Sequence, residues 1–332
     1  LLDYCTRHYH INNPPRLVFL DLQRAFDTID HYTLLDILNQ KHVPPAWIKL
    51  IQSYLSHRTF RVRIGNKLSD PKHIQAGVPQ GSRLGPYLFT LYVADIPTPV
   101  DRRTLLQLYV DDVLIAVHGR NADNRLQTYL NNITNWALTH NIGINPAKTP
   151  ALTMRSRHIP PSPVILGTQI PYTSQITYLG VPITKNLSRN PFIQQITNKS
   201  KSLTSMCKAM AVAKNPTLAL KIYNTLIRPT LDYAAPTLPP LNQTQTRKLR
   251  TAYTNQIKRL FNIPIASHTT HLLQELHVEE PHDRLHRLHN TFFHKVNTLD
   301  NIIHTNIMVP RIRHPHRKQS PVDVWIAQQE PG

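Results

Sequence analysis

Residues 106–117 read LQLYVDDVLIAV and place two adjacent acids, Asp111 and Asp112, between two apolar runs. Each run has the length of a strand, and the pair between them is short enough for a hairpin turn. Two acids at the tip of a buried hairpin would repel each other, and a bound cation would relieve that repulsion. Carboxylate oxygens are ligands that suit Mg²⁺. For the dipeptide alone, a solvated Asp-Asp turn is the simpler alternative.

Three other stretches favour the metal interpretation. Residues 16–27 read RLVFLDLQRAFD, an apolar strand that ends in Asp21. Residues 75–89 read QAGVPQGSRLGPYLF, a Gly/Pro loop that runs into an apolar helix, and residues 141–148 read NIGINPAK, a turn that ends in a lysine. Adjacent central strands would bring Asp21 next to Asp111, so the carboxylates of both strands are candidates for one site.

In this order the stretches resemble the palm motifs of reverse transcriptases, and YVDD at residues 109–112 matches the signature of that family. Further matches narrow the resemblance to polymerases of non-LTR (LINE-type) retrotransposons, particularly jockey-like ones, across about residues 16–265; they lie at residues 50–66, 76–86, 178–181 and 222–236. The resemblance implies an α+β fold. A right-hand polymerase palm, an antiparallel sheet with packed helices, would be followed by an all-helical thumb-like lobe.

The resemblance also implies a catalytic set. Two ions, Mg²⁺ or Mn²⁺, would be held by Asp21, Asp111 and Asp112 and would serve the attacking 3′-oxygen and the leaving pyrophosphate. Asp112 would either bind the ion on the primer side or shape the site. Lys148 would protonate that pyrophosphate, and an exposed loop lysine is the alternative.

A second set of residues would contact nucleotide or template: Phe26, Gln80, Gly81 and Arg83. Phe26 matches the family position that stacks under the sugar and excludes a 2′-hydroxyl, although a core Phe near a strand end is an equal alternative. Gln80 would touch the incoming nucleotide and the template. The glycines around it would let the backbone pass close to a ligand. Arg83 departs from the family, which has a smaller apolar residue there.

The composition favours a polyanionic partner. The 332 residues are enough for two or more compact lobes, and Lys and Arg number 38 against 19 acids. A membrane surface is a weaker alternative, since no long apolar span supports it. The two cysteines, Cys5 and Cys207, exclude a disulfide scaffold and a Cys-based zinc finger. The first residues, LLDYCTRHYH, do not resemble a signal peptide and lack an initiating Met, so we expect an excerpt of a longer chain.

Helix and strand patterns can be placed along the chain. Asp30 is expected to cap a helix that starts near Tyr32. One helix face is predicted for Trp47, Leu50, Ile51, Tyr54 and Leu55, and a half-buried strand for residues 59–64 before a Gly65-Asn66 turn. Helices are also expected at about residues 84–94, 123–140, 191–212, 216–231 and 243–261. Residues 178–181 (YLGV) resemble the primer-grip turn.

The composition shifts near residue 186, which suggests three regions: a palm with partial fingers at 1–185, a helical thumb-like domain at 186–270, and a basic His-rich region at 271–332. Between residues 186 and 261 the only acid is Asp232. The same stretch is rich in cations that would follow a duplex through its phosphates: Lys199, Lys201, Lys208, Lys214, Lys221, Arg228, Arg247, Lys248, Arg250, Lys258 and Arg259.

The C-terminal region is less informative. His282, His286 and His289 share one helix face, where a metal site is the minor alternative to scattered surface histidines. Residues 311–318 (RIRHPHRK) would form a basic arm on nucleic acid.

The resemblance implies an RNA-directed DNA polymerase whose partners are an RNA template, a DNA primer and a dNTP, with no membrane. It implies action in the nucleus after a cytoplasmic ribonucleoprotein stage. Only fifteen residues precede the first palm strand, so most of the fingers and the usual endonuclease are outside this sequence. We therefore expect weak extension by this chain alone. The alternatives are a truncated, catalytically silent nucleic-acid-binding protein and a domesticated RNA-binding factor.

Overall fold

The computed structural model describes residues 1–155, 158–209, 215–298 and 317–329. The chain divides into two compact units. The sheet unit is Ile11–Ile176, and the helical unit is Leu1–His10 together with Thr177–Gly332. The expected functional division at residues 185 and 270 stays a prediction.

The helices, in chain order, are α1 (Leu2–Arg7), α2 (His31–Gln40), α3 (Pro45–Leu55), α4 (Gly85–Tyr92), α5 (Ala122–Thr139), α6 (Asn190–Ala209), α7 (Pro216–Ile222), α8 (Arg228–Asp232), α9 (Gln243–Leu260), α10 (Thr269–Glu275), α11 (Pro281–Thr298) and α12 (Pro321–Gln329). The strands are β1 (Arg16–Gln23), β2 (Thr59–Phe60), β3 (Arg63–Ile64), β4 (Lys67–Leu68), β5 (Lys72–His73), β6 (Thr104–Tyr109), β7 (Asp112–Val117), β8 (Gly143–Ile144), β9 (Ala151–Thr153), β10 (Val164–Ile165), β11 (Thr168–Gln169), β12 (Tyr172–Thr173), β13 (Gln175–Tyr178) and β14 (Val181–Thr184).

A six-stranded sheet organises the sheet unit, with strand order β12-β9-β1-β7-β6 and β8 paired to β1. β1 runs antiparallel to β7, β8 and β9, and β6 runs antiparallel to β7. The pair β9–β12 is parallel. The expected α+β fold with helices packed on a largely antiparallel sheet is confirmed.

One face of this sheet carries the hydrophobic core. Val18 and Leu20 of β1 and Val113 and Ile115 of β7 are buried there together with apolar residues of α2, α4 and α5. Because side chains alternate along a strand, the residues between them point to the other face. The continuous apolar run of β1 is therefore explained by a strand that is covered on both faces.

Local signals in the sequence explain the start of α2 and the buried face of α5. The side chain of Asp30 accepts hydrogen bonds from the backbone N–H and the hydroxyl of Thr33, both at 2.8 Å, so the predicted cap of α2 is confirmed. In α5 the residues spaced at helical period are buried, as predicted: Leu126, Leu130, Ile133 and Ala137.

In this unit one predicted helix face is only partly covered, and the predicted half-buried strand is wrong. In α3, Leu55 is buried and Ile51 packs on the core, but Trp47 is 61% and Leu50 59% exposed. The predicted half-buried strand is a pair of short ribbons instead, and every residue from 59 to 73 is exposed. The Gly65-Asn66 turn does join β3 to β4, with Gly65 at φ +57°. Apolar spacing shows which residues share a face, but not whether another element covers it.

The helical unit has its own core. Residues of α6, of the helix over 216–232 and of α9 are buried together, among them Phe192, Tyr223 and Tyr253. The middle turn of that second helix, Tyr223–Ile227, is a π-helix. From residue 186 onward the described residues form helices and no strand, which confirms the expected helical lobe. In the described part of the chain, no helix is both long and apolar enough to span a membrane.

Candidate active site

Asp21 and Asp112 lie directly opposite each other in the antiparallel pair of β1 and β7. Both backbone groups of Asp21 are bonded on the side away from β7. Its N–H donates to the Thr149 hydroxyl at 3.3 Å, and its carbonyl accepts from the Asn145 N–H at 3.0 Å. Asp21 and Asp112 therefore form a non-hydrogen-bonded pair, in which the Cα atoms are about 4.5 Å apart and the side chains come closest.

The two carboxylates stand on the sheet face opposite the helix-packed core. Asp21 is two residues beyond Phe19, and Asp112 is two residues before Leu114; both apolar residues belong to that other face. Phe19 and Leu114 are buried, whereas Asp21 is half-buried and Asp112 exposed. The carboxylates thus mark the point where a covered strand surface opens to solvent.

Asp111 lies in the hairpin that leads into β7. Tyr109 pairs with Asp112, so the two turn residues are Val110 and Asp111. The prediction that both aspartates form the turn is wrong by one residue, since Asp112 already belongs to the strand. The tip is also not buried, with Tyr109 59% and Val110 46% exposed. Val110 has φ +56°, a strained conformation for a β-branched residue.

Electrostatics connect the three acids. Partial burial, and then the negative charges of Asp111 and Asp21, raise the pKa of the Asp112 carboxyl above its ordinary value. Among the described residues, no three His, Cys, Asp or Glu side chains are arranged as a group that could hold a metal ion. The oxygen donors and the unfavourable charge on Asp112 fit a divalent cation chemically. Metal binding by Asp21, Asp111 and Asp112 stays a prediction.

The glycine loop packs against the segment that follows β1. Gly77 and Val78 donate backbone hydrogen bonds to the carbonyls of Ile29 and Phe26, at 2.8 and 2.9 Å. Gly77 has φ +80°, and a Cβ there would meet the backbone of Asp27 at 2.7 Å. At Gly77 the predicted close approach is therefore to the chain's own backbone. Around Gly81, at φ +76°, a Cβ would find nothing within 4 Å.

The predicted nucleotide-binding residues have different surroundings. Gln80 donates from Nε2 to Oδ1 of Asp27 at 2.8 Å, and both side chains are exposed. Arg83 is exposed just before α4. The ring of Phe26 stacks on Phe89 with centroids 4.6 Å apart, at the edge of the core. For Phe26 the structure thus shows the core-packing alternative, and contact with a sugar stays a prediction.

Lys148 is the last residue of a 3-10 turn, Pro146–Lys148, and is exposed. The turn is capped by Asn145, whose side chain accepts from the N–H of Ala147 at 3.1 Å. Asn145 is the same residue that donates to the Asp21 carbonyl. Hydrogen bonding therefore fixes the start of the turn that carries Lys148 beside the strand that carries Asp21.

Sequence reasoning missed three residues around this site: Asp27, Asn145 and Thr149. The signal for two of them was present, because Asn145 and Thr149 flank the lysine of the NIGINPAK stretch. The stretch quoted from the sequence ends at Lys148, one residue before Thr149. Asp27 is an exposed polar residue after β1, and only the fold shows that it meets Gln80.

In the helical unit, the predicted cations fall into three groups. Six are exposed: Lys199, Lys201, Lys208, Lys221, Arg247 and Lys248. Lys258 is 3% exposed and donates to the carbonyls of Ile265 and Ser267 at 2.9 and 2.6 Å, while Arg250 pairs with Glu280 at 2.6 Å. Arg228 and Arg259 are half-buried, and Lys214 lies outside the described residues. The six exposed cations can contact phosphates, whereas the buried Lys258 stabilises the fold through its two hydrogen bonds.

The YLGV turn connects β13 to β14. Leu179 and Gly180 have φ values of +47° and +75°. The Leu179 carbonyl accepts from the Tyr233 hydroxyl at 2.6 Å, and Gln195 donates to the Gly180 carbonyl at 2.9 Å. The predicted turn is confirmed, and its role as a primer grip stays a prediction.

The three predicted histidines of α11 do not share an environment. His289 is 1% exposed, and burial is the largest cause that lowers its pKa below the ordinary value. His282 and His286 are exposed, and His286 is bonded to Asn290 at 3.2 Å. Among the described residues these histidines are not part of a metal-binding group. Residues 311–316 of the predicted basic arm lie outside the described residues.

Several known proteins are similar to this chain in sequence. The RNA-directed DNA polymerase from the mobile element jockey of Drosophila melanogaster is 28% identical over 299 residues, which is 85% of this chain and 32% of that protein. The probable RNA-directed DNA polymerase from transposon BS of the same species is 34% identical over 195 residues, 55% of this chain and 21% of that protein. The chain thus spans a third or less of the length of these relatives. Apo telomerase from Candida tropicalis aligns with 79% of this chain and 43% of its own, at 13% identity and a TM-score of 0.44.

The family assignment rests on more than half of the chain. The model of the reverse transcriptase (RNA-dependent DNA polymerase) family matches residues 6–183, a range that contains β1, the glycine loop, the hairpin with Asp111 and Asp112, and the Lys148 turn. With the same motifs present in sequence, in fold and in family match, this chain belongs to the reverse transcriptase family.

Proposed function

We propose that this chain is the polymerase part of a non-LTR retrotransposon protein, and that it extends a DNA primer with dNTPs on an RNA template. The observation that carries the proposal is the opposition of Asp21 and Asp112 across β1 and β7, with Asp111 in the adjoining turn. Three acids where β1 pairs with the first residue of β7, beside the hairpin turn, are an arrangement that suits nucleotidyl transfer. The names of the jockey and BS relatives support the reaction class.

In this proposal each part of the site has a role. Asp21, Asp111 and Asp112 would hold Mg²⁺ or Mn²⁺. When bound, two such ions supply positive charge for the attacking 3′-oxygen and the leaving pyrophosphate. Lys148 would donate a proton to that pyrophosphate from its exposed turn. Gln80, held by Asp27, would present its amide to the nucleotide or template.

The exposed lysines and arginines of α6, α7 and α9 would contact the phosphates of the template-primer duplex. We further propose that the protein acts in the nucleus, where the DNA primer is, after assembling with RNA in the cytoplasm.

A second candidate function is nucleic-acid binding without catalysis. It is favoured by one observation, namely that the six exposed cations of the helical unit need no carboxylate to bind phosphate. The two candidate functions differ in whether they need the negative charge of Asp111. A polymerase loses its reaction when this charge is removed, whereas a binder is unaffected.

Primer extension on an RNA template with Mg²⁺ or Mn²⁺ separates the two candidates. Asp111→Asn keeps the size of the side chain but removes its charge, so extension should be abolished while template-primer binding stays within about twofold. Asp36→Asn is the matched control, because Asp36 is an exposed acid of α2 whose side chain accepts a hydrogen bond from Gln40 on the same helix. Equal extension by wild type and Asp111→Asn would overturn the proposal. Binding without extension by any of the three proteins would favour the binder only if it persists when the upstream fingers are supplied, because this chain alone is expected to extend weakly.

A further inference from the structure

The pairing of β1 is interrupted beside Asp21. On the edge away from β7, residues 16–18 of β1 pair with β9, and Leu22 and Gln23 pair with β8. Between these two pairings β1 is bordered by residues 145–150, which include the 3-10 turn with Lys148. Phe19 N–H donates to the Pro150 carbonyl at 3.1 Å. The next outward N–H of β1 is that of Asp21, and it has no strand carbonyl opposite it.

A side-chain hydroxyl takes the place of that carbonyl. Thr149 Oγ1 accepts from the Asp21 N–H at 3.3 Å and itself donates to the Asn145 carbonyl at 2.8 Å. The ring is closed by Asn145 N–H, which donates to the Asp21 carbonyl at 3.0 Å. Thr149 is 2% exposed, so water does not compete for its hydroxyl. Because the Thr149 hydroxyl both accepts and donates, its two hydrogen bonds form a chain in which each bond polarises the other.

We propose that Thr149 is a positioning residue for Asp21, an inference that rests on the proposed polymerase function. Its hydroxyl bonds the peptide of Asp21 on the edge opposite Asp112, and thereby fixes the direction in which the Asp21 carboxylate leaves β1. Ligands of a metal site have to be held within about 0.5 Å, and residues behind the ligands supply that precision.

The same ring links the two halves of the proposed site. Thr149 follows Lys148 directly, and the carbonyl that receives the Thr149 hydroxyl belongs to Asn145, the residue that caps the Lys148 turn. A change at Thr149 therefore acts on Asp21 and on the base of the Lys148 turn together. Thr149 itself would touch neither nucleotide nor metal.

Thr149→Val tests the inference, because valine has the same shape but cannot accept from the Asp21 N–H. Mn²⁺ binding to the whole chain is followed by the loss of the EPR signal of free Mn²⁺, and primer extension is measured across the same Mn²⁺ concentrations. We expect Thr149→Val to raise the Mn²⁺ concentration for half-saturation about tenfold in both measurements, as is common for residues behind metal ligands. Thr149→Ser, which keeps the hydroxyl, should stay within about twofold of wild type.

One control and one replacement variant separate positioning from stability. Thr153→Val makes the same change in β9, opposite Arg16 at the far end of β1, and should leave Mn²⁺ binding unchanged. If Thr149→Val does not fold, Thr149→Ala decides, because alanine also removes the hydroxyl but places no methyl group against the Asp21 N–H. A folded Val or Ala variant with wild-type Mn²⁺ binding, or a Ser variant as weak as Val, would overturn the inference.

Failure of the proposed function has a different signature. If Asp111→Asn binds Mn²⁺ as wild type does, the carboxylates are not the metal site. If Asp111→Asn loses binding but Thr149→Val does not, the site is right and the positioning role of Thr149 is wrong.

Discussion

Asp21 and Asp112 oppose each other across the two central strands, and the backbone bonds of Asp21 are all made on the other edge of β1. This arrangement lets the two side chains approach without a ladder hydrogen bond between their own peptides. With Asp111 next in the chain, negative charge is concentrated at the end of an otherwise apolar strand pair. The charge has consequences for stability that can be measured without any substrate.

Asp112→Asn should stabilise the metal-free protein at neutral pH. The folded-state pKa of Asp112 is raised, so its contribution to stability is fully present below the unfolded pKa and is lost as the pH rises through the folded value. At about pH 7 the ionised Asp112 is therefore unfavourable. Removing its charge should add up to about 1 kcal/mol to the free energy of unfolding, because solvent screens this exposed site. Urea unfolding in the presence of a chelator measures it.

The gain from Asp112→Asn should shrink as the pH falls toward the ordinary pKa of an aspartate, where wild type is protonated too. Asp36→Asn, made at an exposed acid elsewhere, is the control and should show no such pH-dependent gain. A gain that grows at low pH would contradict the assignment of the raised pKa.

Gly77→Ala should be strongly destabilising. The residue has φ +80°, and a Cβ would sit 2.7 Å from the backbone of Asp27, which cannot move as a flexible side chain can. We expect a loss of at least about 2 kcal/mol in the free energy of unfolding. Gly65→Ala is the matched control, since Gly65 also has a positive φ, +57°, but open space around it. It should cost only about 1 kcal/mol, and equal losses would show that the Asp27 contact is unimportant.

The sequence predicted local structure better than it predicted tertiary contacts. The cap at Asp30 and the buried face of α5 follow from residues within one helix, so short-range patterns are sufficient for them. The hairpin was predicted one residue out of place because the strand pair Tyr109–Asp112, and not the acidic dipeptide, defines the turn. Trp47 and Leu50 were placed on one helix face by spacing alone, which carries no information on whether another element covers them, and both are exposed.

The candidate site shows the same limit. Asp21, Asp112 and Lys148 could be named from motifs, but the ring through Thr149 joins residues 128 apart in sequence and depends on an interrupted strand pairing. Such an interruption has no signature in hydrophobic periodicity. Phe26 illustrates the opposite case. The sequence supported core packing and contact with a sugar equally, and the stack on Phe89 shows core packing.

Lys258→Met should destabilise the helical unit. The ammonium group is buried and donates to two carbonyls, of Ile265 and Ser267, which would lose their partner. A loss of about 2–4 kcal/mol in the free energy of unfolding is expected for a broken buried network. Lys248→Met is the matched control on the same helix, because Lys248 is exposed. Thermal or urea unfolding of both variants checks the difference, and similar losses would contradict the structural role of Lys258.

Arg247→Gln combined with Lys248→Gln should weaken nucleic-acid binding without lowering stability. Both side chains are exposed on α9. The only acid in the sequence between residues 186 and 261 is Asp232, and it is already paired with Arg284 at 2.5 Å. Each phosphate contact releases a counterion, so the slope of log affinity against log salt should become shallower by about 2 for the double variant if both residues contact phosphate. The measurement is template-primer binding across a salt series.

Lys41→Gln, an exposed cation next to α2, is the control for net charge and should leave the slope nearly unchanged. A salt dependence that is flat in wild type, or equally steep in wild type and the double variant, would mean that this surface does not meet the phosphates.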